Sequence, residues 1–306
     1  MTMRIGYVGL GSLGRHLATS LIKAGFPVTV FDTNASAVAE LVEAGATGAA
    51  SVAEVARASD TVITCLPSPE IVTAVVAGPD GIIESLAAGG TWVDMSTNDL
   101  HELKRLAGLA AEKGIATLEA PVTGGVHRAA AGMISVLVGG DKAVFDAHLP
   151  AFEAMGGKIF YIGELGQASV IKVITNMLAF IHLVADGEAL MLAKQGGVDL
   201  RLAWEVIKAS SGNSFVHETE GQVILNGSYN INFTMDLARK DLHFAHLMGR
   251  EFGVPLELAS ATEQIFARGR ATYGGGAQST MIVKLLEDAV GTDLRAPGFP
   301  EELAPE

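Results

Sequence analysis

Glycines near the start of the sequence have the spacing of a dinucleotide-binding turn. Gly9, Gly11 and Gly14 form the pattern G-x-G-x-x-G after a strand-like run and before a helical one. In such a turn the first glycine allows the bend, the second lets the backbone approach a pyrophosphate, and the third lets helix and strand pack closely. We expect the cofactor to contact the whole segment, which is Gly9, Leu10, Gly11, Ser12, Leu13 and Gly14.

An acidic residue follows the next strand-like run, at the position that distinguishes the two nicotinamide dinucleotides. Asp32 comes directly after Val28–Phe31, and a carboxylate there accepts hydrogen bonds from the ribose hydroxyls of NAD. A 2′-phosphate would meet this carboxylate without a neighbouring arginine, because Thr33 and Asn34 follow. The sequence therefore predicts NAD as the cofactor and disfavours NADP.

Two further strand ends are expected at the cofactor site. Leu66 and Pro67 follow one apolar run, and the segment Asp94-Met95-Ser96-Thr97 closes the next. Ligands of open α/β sheets bind in the crevice at the carboxyl ends of the strands. We expect Leu66, Pro67 and Thr97 to contact the cofactor; the alternative is that both segments are ordinary turns from strand to loop.

The elements that must position these residues are short strands that alternate with helices. Apolar runs of strand length cover residues 4–8, 28–32, 61–66, 91–95, 117–122, 134–138 and 158–162. This alternation is typical of βαβ units, and nearly continuous apolar strands suit a sheet that is covered on both faces. We predict an α/β Rossmann domain, doubly wound with a mostly parallel sheet, over residues 1–163.

Long helical patterns replace the strands in the second half. They cover residues 167–195, 200–210, 236–252 and 256–269. We predict an all-α domain over residues 164–292 for substrate binding and dimerisation, joined by the first long helix, and an irregular tail over 293–306. That helix is apolar on most faces but is interrupted by polar residues, so we expect it to be buried in protein and to contribute to a homodimer or homotetramer interface.

Composition limits the classes of partner. The 306 residues carry a formal charge of −13 without a Lys/Arg-rich run, which argues against nucleic acid. Strand-like sequence begins close to Met1, so we expect neither a leader peptide nor a membrane anchor. The single cysteine, Cys65, rules out an internal disulfide and fits a cytoplasmic location. We interpret it as a buried strand residue rather than a catalytic thiol.

Five motifs in the same order resemble the β-hydroxyacid dehydrogenases, whose members include 3-hydroxyisobutyrate dehydrogenase and tartronate semialdehyde reductase. The wider group includes 6-phosphogluconate dehydrogenase. The motifs are Tyr7-Val8-Gly9-Leu10-Gly11-Ser12-Leu13-Gly14, Asp94-Met95-Ser96-Thr97, Ala120-Pro121-Val122-Thr123-Gly124-Gly125, Gly163-x-x-Gly166-x-x-x-x-x-Lys172-x-x-x-Asn176 and Lys240-Asp241-Leu242. The resemblance implies an NAD-dependent oxidoreductase that transfers a hydride between a small β-hydroxy acid, or its semialdehyde, and the nicotinamide.

The resemblance also implies that Lys172 is the catalytic general acid and base. Oxidation of an alcohol requires that the hydroxyl proton leave, and a positioned lysine can accept it. Because an ordinary lysine is a weak base near neutral pH, we expect an apolar setting that favours the neutral amine. Asn176 lies one helical turn further on the same face. It is expected to hydrogen-bond the substrate or to hold the lysine.

Other site residues follow from the same resemblance. Thr123, Gly124 and Gly125 match the loop that binds the substrate carboxylate, where a hydroxyl and successive backbone N–H groups form an anion-binding concavity. Lys240 matches a lysine near the nicotinamide, with Asp241 expected to orient it. Phe233 is expected to form an aromatic wall over the substrate; a core phenylalanine is the alternative.

The sequence departs from the family pattern around the substrate. Ala168 stands where a third glycine is common, Thr175 precedes Asn176 in place of a second asparagine, Phe215 replaces a tryptophan, and Gln278 stands near a frequent aspartate. These changes bear on the identity of the substrate more than on the type of reaction.

Two other functions remain open from the sequence. An imine reductase shares the architecture but typically replaces the lysine, and an idle NAD-binding sensor would need only the first domain. A metal site at His243 and His246 is disfavoured, because a third ligand at suitable spacing is missing from the sequence.

Overall fold

The structure is a computed structural model that describes residues 2–304, and it divides into two compact units. The first unit extends through Lys172, and the second runs from Val173 to Ala304. The boundary predicted at Gly163 marks the end of the last strand, whereas the units divide inside the helix that follows.

Nine strands of the described chain form one sheet. They are β1 (Ile5–Val8), β2 (Val28–Phe31), β3 (Thr47–Gly48), β4 (Thr61–Thr64), β5 (Thr91–Asp94), β6 (Ala116–Glu119), β7 (Val122–Thr123), β8 (Ser135–Gly140) and β9 (Lys158–Gly163). The order is β3-β2-β1-β4-β5-β6-β8-β7, with β9 on β8. The strands from β3 to β6 are parallel, and β8 is antiparallel to β6 and β7. The prediction of a doubly wound, mostly parallel sheet is confirmed.

Helices cover both faces of this sheet. In the first unit they are α1 (Gly14–Lys23), α2 (Ala35–Glu43), α3 (Val52–Ala58), α4 (Pro69–Ala77), α5 (Ile82–Ser85), α6 (Leu100–Glu112), α7 (Gly125–Ala130) and α8 (Lys142–Met155). Neighbouring residues of one strand point to opposite faces, and Trp92 and Val93 accordingly belong to different apolar clusters. The central parallel strands β1, β4 and β5 are buried on both sides, as their continuous apolar sequence predicts, whereas β2 is partly buried and β3 is exposed.

The second unit is helical. Its elements are the long α9 (Gln167–Gln195), whose first six residues lie in the first unit, then α10 (Leu200–Lys208), α11 (Phe215–Asn226), α12 (Met235–Phe252), α13 (Glu257–Tyr273), a 3₁₀ turn (Ser279–Val283) and α14 (Lys284–Val290). Phe180, Leu183 and Phe266 lie at the centre of its core. The predicted all-α character of this half is confirmed.

Helix α9 is only partly buried within the single chain. By length and composition it is long and apolar enough to cross a membrane, and 33% of its most apolar 18-residue window is buried inside the structure. Ile174, Leu178 and Leu192 are exposed apolar residues of this helix. These residues are not covered within the single chain, and the expectation that the helix contributes to a subunit interface stays a prediction.

The segment after Thr292 follows an irregular path, yet it is fastened to the helical unit. Leu294 is fully buried, and its N–H donates to Glu287 at 2.8 Å. The ring of Phe299 lies edge-on to Trp204, with 5.2 Å between the centroids. These contacts fix the chain to the helical unit at Leu294 and at Phe299.

Candidate active site

The glycine turn after β1 has the geometry that a dinucleotide requires. Gly9 has a φ of +99°, which a residue with a side chain rarely adopts. A Cβ on Gly14 would lie 2.1 Å from the carbonyl oxygen of Gly9, so the start of α1 packs directly on the turn. A Cβ on Gly11 would meet open space within 4 Å. The turn therefore leaves room at Gly11 for a close approach by a phosphate group.

Asp32 is tied to this turn through the backbone. Its carboxylate accepts hydrogen bonds from the N–H of Leu10 at 2.6 Å and from the N–H of Asn34 at 2.7 Å. No side chain caps α1, because Leu13 at its N-cap has no polar side-chain atom, and backbone carbonyls accept the N–H groups of Arg15 and His16 at 3.3 and 3.1 Å. The structure thus brings the predicted ribose acceptor beside the predicted phosphate site.

A hydrogen bond joins the segments that follow β4 and β5, both of which are predicted to contact the cofactor. The N–H of Leu66 donates to the hydroxyl of Ser96 at 2.9 Å. Buried Asp94 accepts from the N–H of Ser96 at 3.1 Å and from the amide of Asn98 at 2.9 Å, and burial raises the pKa of Asp94. Asp94 therefore shapes the loop that holds Thr97, a supporting role that we did not predict.

The loop predicted to bind the substrate carboxylate is strongly bent. Gly124 and Gly125 have φ values of +125° and +86°, and both lie in the left-handed region that favours glycine. Thr123, the last residue of β7, pairs with Ser135 of β8, which fixes the start of the bend to the sheet. The bend at these two glycines is therefore fixed to the sheet through Thr123, and the role of the loop in binding a carboxylate stays a prediction.

Lys172 is the last residue of the first unit, in the second turn of α9. Its side chain is buried, with 8% of the residue exposed, and the adjacent Val173 is buried as well. Lysine is rarely buried in proteins unless it has a specific role or partner. The burial of Lys172 beside an apolar residue agrees with the apolar setting that the sequence led us to expect.

The helical unit holds the remaining predicted polar residues in one cluster. The amide of Asn176 donates to Asp241 at 2.6 Å, and the ammonium of Lys240 forms an ion pair with the other oxygen of Asp241 at 2.9 Å. Asp241 is almost completely buried. The expected pairing of Lys240 with Asp241 is present, while the direct bond from Asn176 to Asp241 was missed, because the two lie 65 positions apart.

Phe233 occupies a loop that Gln278 organises. The side-chain oxygen of Gln278 accepts from the N–H groups of Ile231 and Phe233, each at 3.3 Å. The ring of Phe233 stacks on Phe180 with 6.0 Å between centroids and is only partly buried. Gln278, one of the departures from the family pattern, therefore acts on the position of Phe233.

The signals that we set aside have structural partners. His246 forms an ion pair with Glu263 at 2.9 Å, and residues 2–304 contain no group of three metal-ligating side chains. Cys65 lies just beyond β4 and is partly buried. Burial raises the pKa of its thiol to about 12, so the reactive thiolate is disfavoured.

Two family models match successive parts of the chain. Residues 4–163 match the NAD binding domain of 6-phosphogluconate dehydrogenase. Residues 166–286 match the model described as NAD-binding of NADP-dependent 3-hydroxyisobutyrate dehydrogenase. Together with the glycine turn and the sheet order, these matches define an NAD-binding oxidoreductase of two domains.

Individual relatives agree over nearly the whole length. A 2-(hydroxymethyl)glutarate dehydrogenase of Eubacterium barkeri is 35% identical over 96% of this chain and 98% of its own. A 3-hydroxyisobutyrate dehydrogenase of Pseudomonas aeruginosa is 34% identical over 86% and 91%. The solved 3-hydroxyisobutyrate dehydrogenase of Mycobacterium tuberculosis with L-serine has a TM-score of 0.84 at 28% identity, over 94% and 99%. The chain belongs to the β-hydroxyacid dehydrogenase family, whose members act on CH–OH groups with NAD(P).

Proposed function

We propose that this protein transfers a hydride between NAD and a small β-hydroxy acid, or its semialdehyde, with Lys172 as general acid and base. The observation that carries the proposal is the burial of the Lys172 side chain. This lysine lies in the same compact unit as the glycine turn and the Thr123 loop. A buried amine in such a unit suits proton transfer better than a purely structural role.

The reaction divides between the cofactor and the chain. When bound, NAD supplies the hydride acceptor. As the C–H hydrogen leaves with its electron pair, the substrate hydroxyl loses its proton, which we assign to Nζ of Lys172. In the reverse direction the same ammonium returns the proton to the carbonyl oxygen. Lys172 thus holds the proton that the hydride transfer releases or requires.

The carboxylate of the substrate is proposed to bind at Thr123, Gly124 and Gly125. The hydroxyl and the two N–H groups are donors, and such a bent segment favours an anion. Roles for Asn176, Phe233 and Lys240 in binding the substrate or the nicotinamide stay predictions from the family resemblance. The preference for NAD over NADP is assigned to the carboxylate of Asp32.

The names of the relatives support a common substrate pattern. L-serine and 2-(hydroxymethyl)glutarate, which appear in two of those names, both carry a hydroxymethyl group on the carbon next to a carboxylate. We propose that this enzyme recognises the same pattern. The experiment measures initial rates of oxidation for a panel of such acids, with NAD and with NADP, from the absorbance of the reduced cofactor.

A matched pair of compounds makes this experiment specific. The methyl ester of 3-hydroxyisobutyrate keeps the hydroxyl but removes the anion, and we expect kcat/KM to fall by about a hundredfold or more. Thr123→Val should lower kcat/KM for the acid and leave the poor rate with the ester unchanged. A protein that binds NADH but is inactive on every hydroxy acid and semialdehyde would support the NAD sensor. Reduction of cyclic imines with NADH would support the imine reductase.

The chain is also proposed to form a homodimer or homotetramer. Leu192, Leu202 and Val206 expose 75%, 53% and 58% of their surface, and a helical unit with such residues in water favours self-association. Light scattering of the purified protein tests this proposal, and a monomer at micromolar concentration would contradict it.

A further inference from the structure

Buried Glu119, the last residue of β6, binds the first turn of α9. One carboxylate oxygen accepts the N–H of Gly166 at 2.5 Å and the N–H of Ala168 at 2.9 Å. The other oxygen accepts the N–H of Ser169 at 2.9 Å and also the hydroxyl of Ser169. Glu119 is 1% exposed. All four partners are donors, so the site is built for a carboxylate.

This arrangement is unusual for the start of a helix. The first N–H groups of a helix are ordinarily capped by a side chain next to the helix, whereas Glu119 precedes its partners by 47 to 50 positions. A negative charge is favourable at this end of a helix. Burial raises the pKa of Glu119, while the four hydrogen bonds act to lower it. The carboxylate therefore replaces a local cap with a contact from the sheet.

The surroundings of Glu119 leave little freedom for another side chain. A Cβ on Gly139, in the neighbouring strand β8, would lie 2.4 Å from the carboxylate oxygen that binds Gly166. On the helix side, a Cβ on Gly166 would lie 2.6 Å from Leu100. Gly139 thus lets β8 approach the Glu119 carboxylate closely, and Gly166 lets the start of α9 approach Leu100 of α6.

Glu119 connects two parts of the proposed site. It directly precedes Ala120-Pro121-Val122-Thr123, the segment that leads into the carboxylate loop, and its partner Ser169 lies three residues before Lys172. Residues three apart on a helix occupy neighbouring positions on one side. One buried side chain therefore joins the strand that leads into the loop to the helix turn that precedes the lysine.

We infer that Glu119 is a positioning residue, which holds the helix turn of Lys172 in a fixed place relative to the carboxylate loop. This inference rests on the proposed function, because it requires that Lys172 act on the bound substrate. Glu119 itself touches neither the substrate nor the cofactor in this account.

Substitution of Glu119 should reduce the chemical step and spare the cofactor. Glu119→Gln leaves one acceptor oxygen and turns an NH₂ group toward N–H donors, so the first turn of α9 must shift. Because a displacement of about 1 Å can cost about a hundredfold in rate, we expect kcat to fall by about ten- to a hundredfold. The Kd for NADH should stay within about twofold, since the glycine turn is untouched. Glu119→Asp keeps both oxygens and should recover part of kcat.

A double-mutant cycle separates positioning from a general structural role. If Glu119 acts through the lysine, adding Glu119→Gln to Lys172→Met should change the residual kcat by less than about twofold. Glu287→Gln is the matched control, since Glu287 is another buried, fully hydrogen-bonded glutamate, in the helical unit. It should lower stability and leave kcat of the folded protein unchanged. Ser169→Ala, which removes one donor only, should lower kcat by a few fold and serves if Glu119→Gln does not fold.

The outcomes distinguish this inference from the proposed function. If Lys172→Met is inactive but Glu119→Gln and Ser169→Ala both keep the wild-type kcat, the positioning role is wrong and the proposed function stands. If the fold losses of kcat in the two single variants multiply in the double variant, the inference is also wrong. If Lys172→Met retains full activity, the proposed function itself fails. A lower kcat in Glu119→Gln, an unchanged Kd for NADH and loss of this effect in Lys172→Met support the inference.

Discussion

The backbone N–H of Leu10 donates a 2.6 Å hydrogen bond to the carboxylate of Asp32. The end of β2 is thereby fixed to the glycine turn that follows β1. We propose that Asp32 is the ribose acceptor, and a carboxylate held in this way would need no rearrangement on cofactor binding, which lowers the entropic cost. The contact joins this proposed acceptor to the turn proposed to bind the phosphates.

The carboxylate of Asp32 should determine the preference for NAD over NADP. Asp32→Asn keeps an acceptor for Leu10 but removes the charge that repels a 2′-phosphate. We expect kcat/KM with NAD to fall, kcat/KM with NADP to rise, and their ratio to change by about ten- to a hundredfold. Asp60→Asn, at the opposite ends of the strands, is the control and should leave the ratio unchanged. An unchanged ratio in Asp32→Asn would show that the preference lies elsewhere.

Substitution by alanine should have different effects at two glycines of the turn. A Cβ at position 14 would lie 2.1 Å from the Gly9 oxygen, whereas one at position 11 meets open space. Gly14→Ala should destabilise the protein by about 1–3 kcal/mol or more. Gly11→Ala should keep the wild-type Tm but weaken NADH binding about tenfold or more, because its methyl group occupies the place of the pyrophosphate.

Gly108→Ala is the control for this pair. Gly108 lies inside α6, and a Cβ there meets nothing within 4 Å. The change should raise stability by about 0.5–1 kcal/mol through helix propensity and leave NADH affinity unaltered. Thermal unfolding and fluorescence titration measure both effects. Equal NADH affinities for wild type and Gly11→Ala would contradict the assignment of the turn.

Stability should decrease with pH through Glu220. Burial, and then the nearby Asp186, raise the pKa of Glu220 to about 8. The folded state therefore keeps a proton that the unfolded chain releases near its usual pKa of about 4.3. Stability should fall as pH rises between these two values. Urea unfolding across this range measures how steeply the free energy of unfolding falls with pH. The fall should be less steep in Glu220→Gln than in wild type, and unchanged in the control Glu257→Gln, whose side chain is exposed. Equal pH dependence in all three proteins would contradict the assignment to Glu220.

The irregular tail should contribute to the stability of the helical unit through Arg295. Its guanidinium contacts Glu287 at 3.0 Å and the hydroxyl of Tyr229 at 2.8 Å. Arg295→Ala leaves the buried Glu287 carboxylate without this partner, at a cost of about 1–3 kcal/mol. The exposed ion pair of Lys284 provides the control, because Lys284→Ala should cost about 0.5 kcal/mol or less. Similar urea midpoints for the two variants would contradict a stabilising role for the tail.

The sequence predicted the elements that have a long or strongly apolar pattern. The bounds of α9 agree with the predicted 167–195, since apolar periodicity runs through the whole helix. Strand β3, of two exposed residues, has no such pattern and was missed. Helix α11 was also missed, because the buried polar residue His217 interrupts its apolar face.

In the candidate site, too, residues that belong to a local sequence pattern were easier to predict than contacts between distant parts of the chain. The glycine turn and Asp32 were predictable, because their roles depend on local spacing. The contacts of Glu119 with α9 and of Asn176 with Asp241 join residues 47 to 65 positions apart, and only the folded chain reveals them. A charged residue at the end of an apolar strand was the available signal for Glu119.

Lys172→Met tests most directly whether Lys172 transfers the proton. Methionine keeps most of the apolar stem in this buried position and removes the amine. The measurement is kcat for oxidation of the best hydroxy acid with NAD, together with the Kd for NADH. We predict that kcat falls by about a hundred- to ten-thousandfold while the Kd stays within about twofold. A variant that binds NADH normally and keeps kcat within about threefold of wild type would contradict the account.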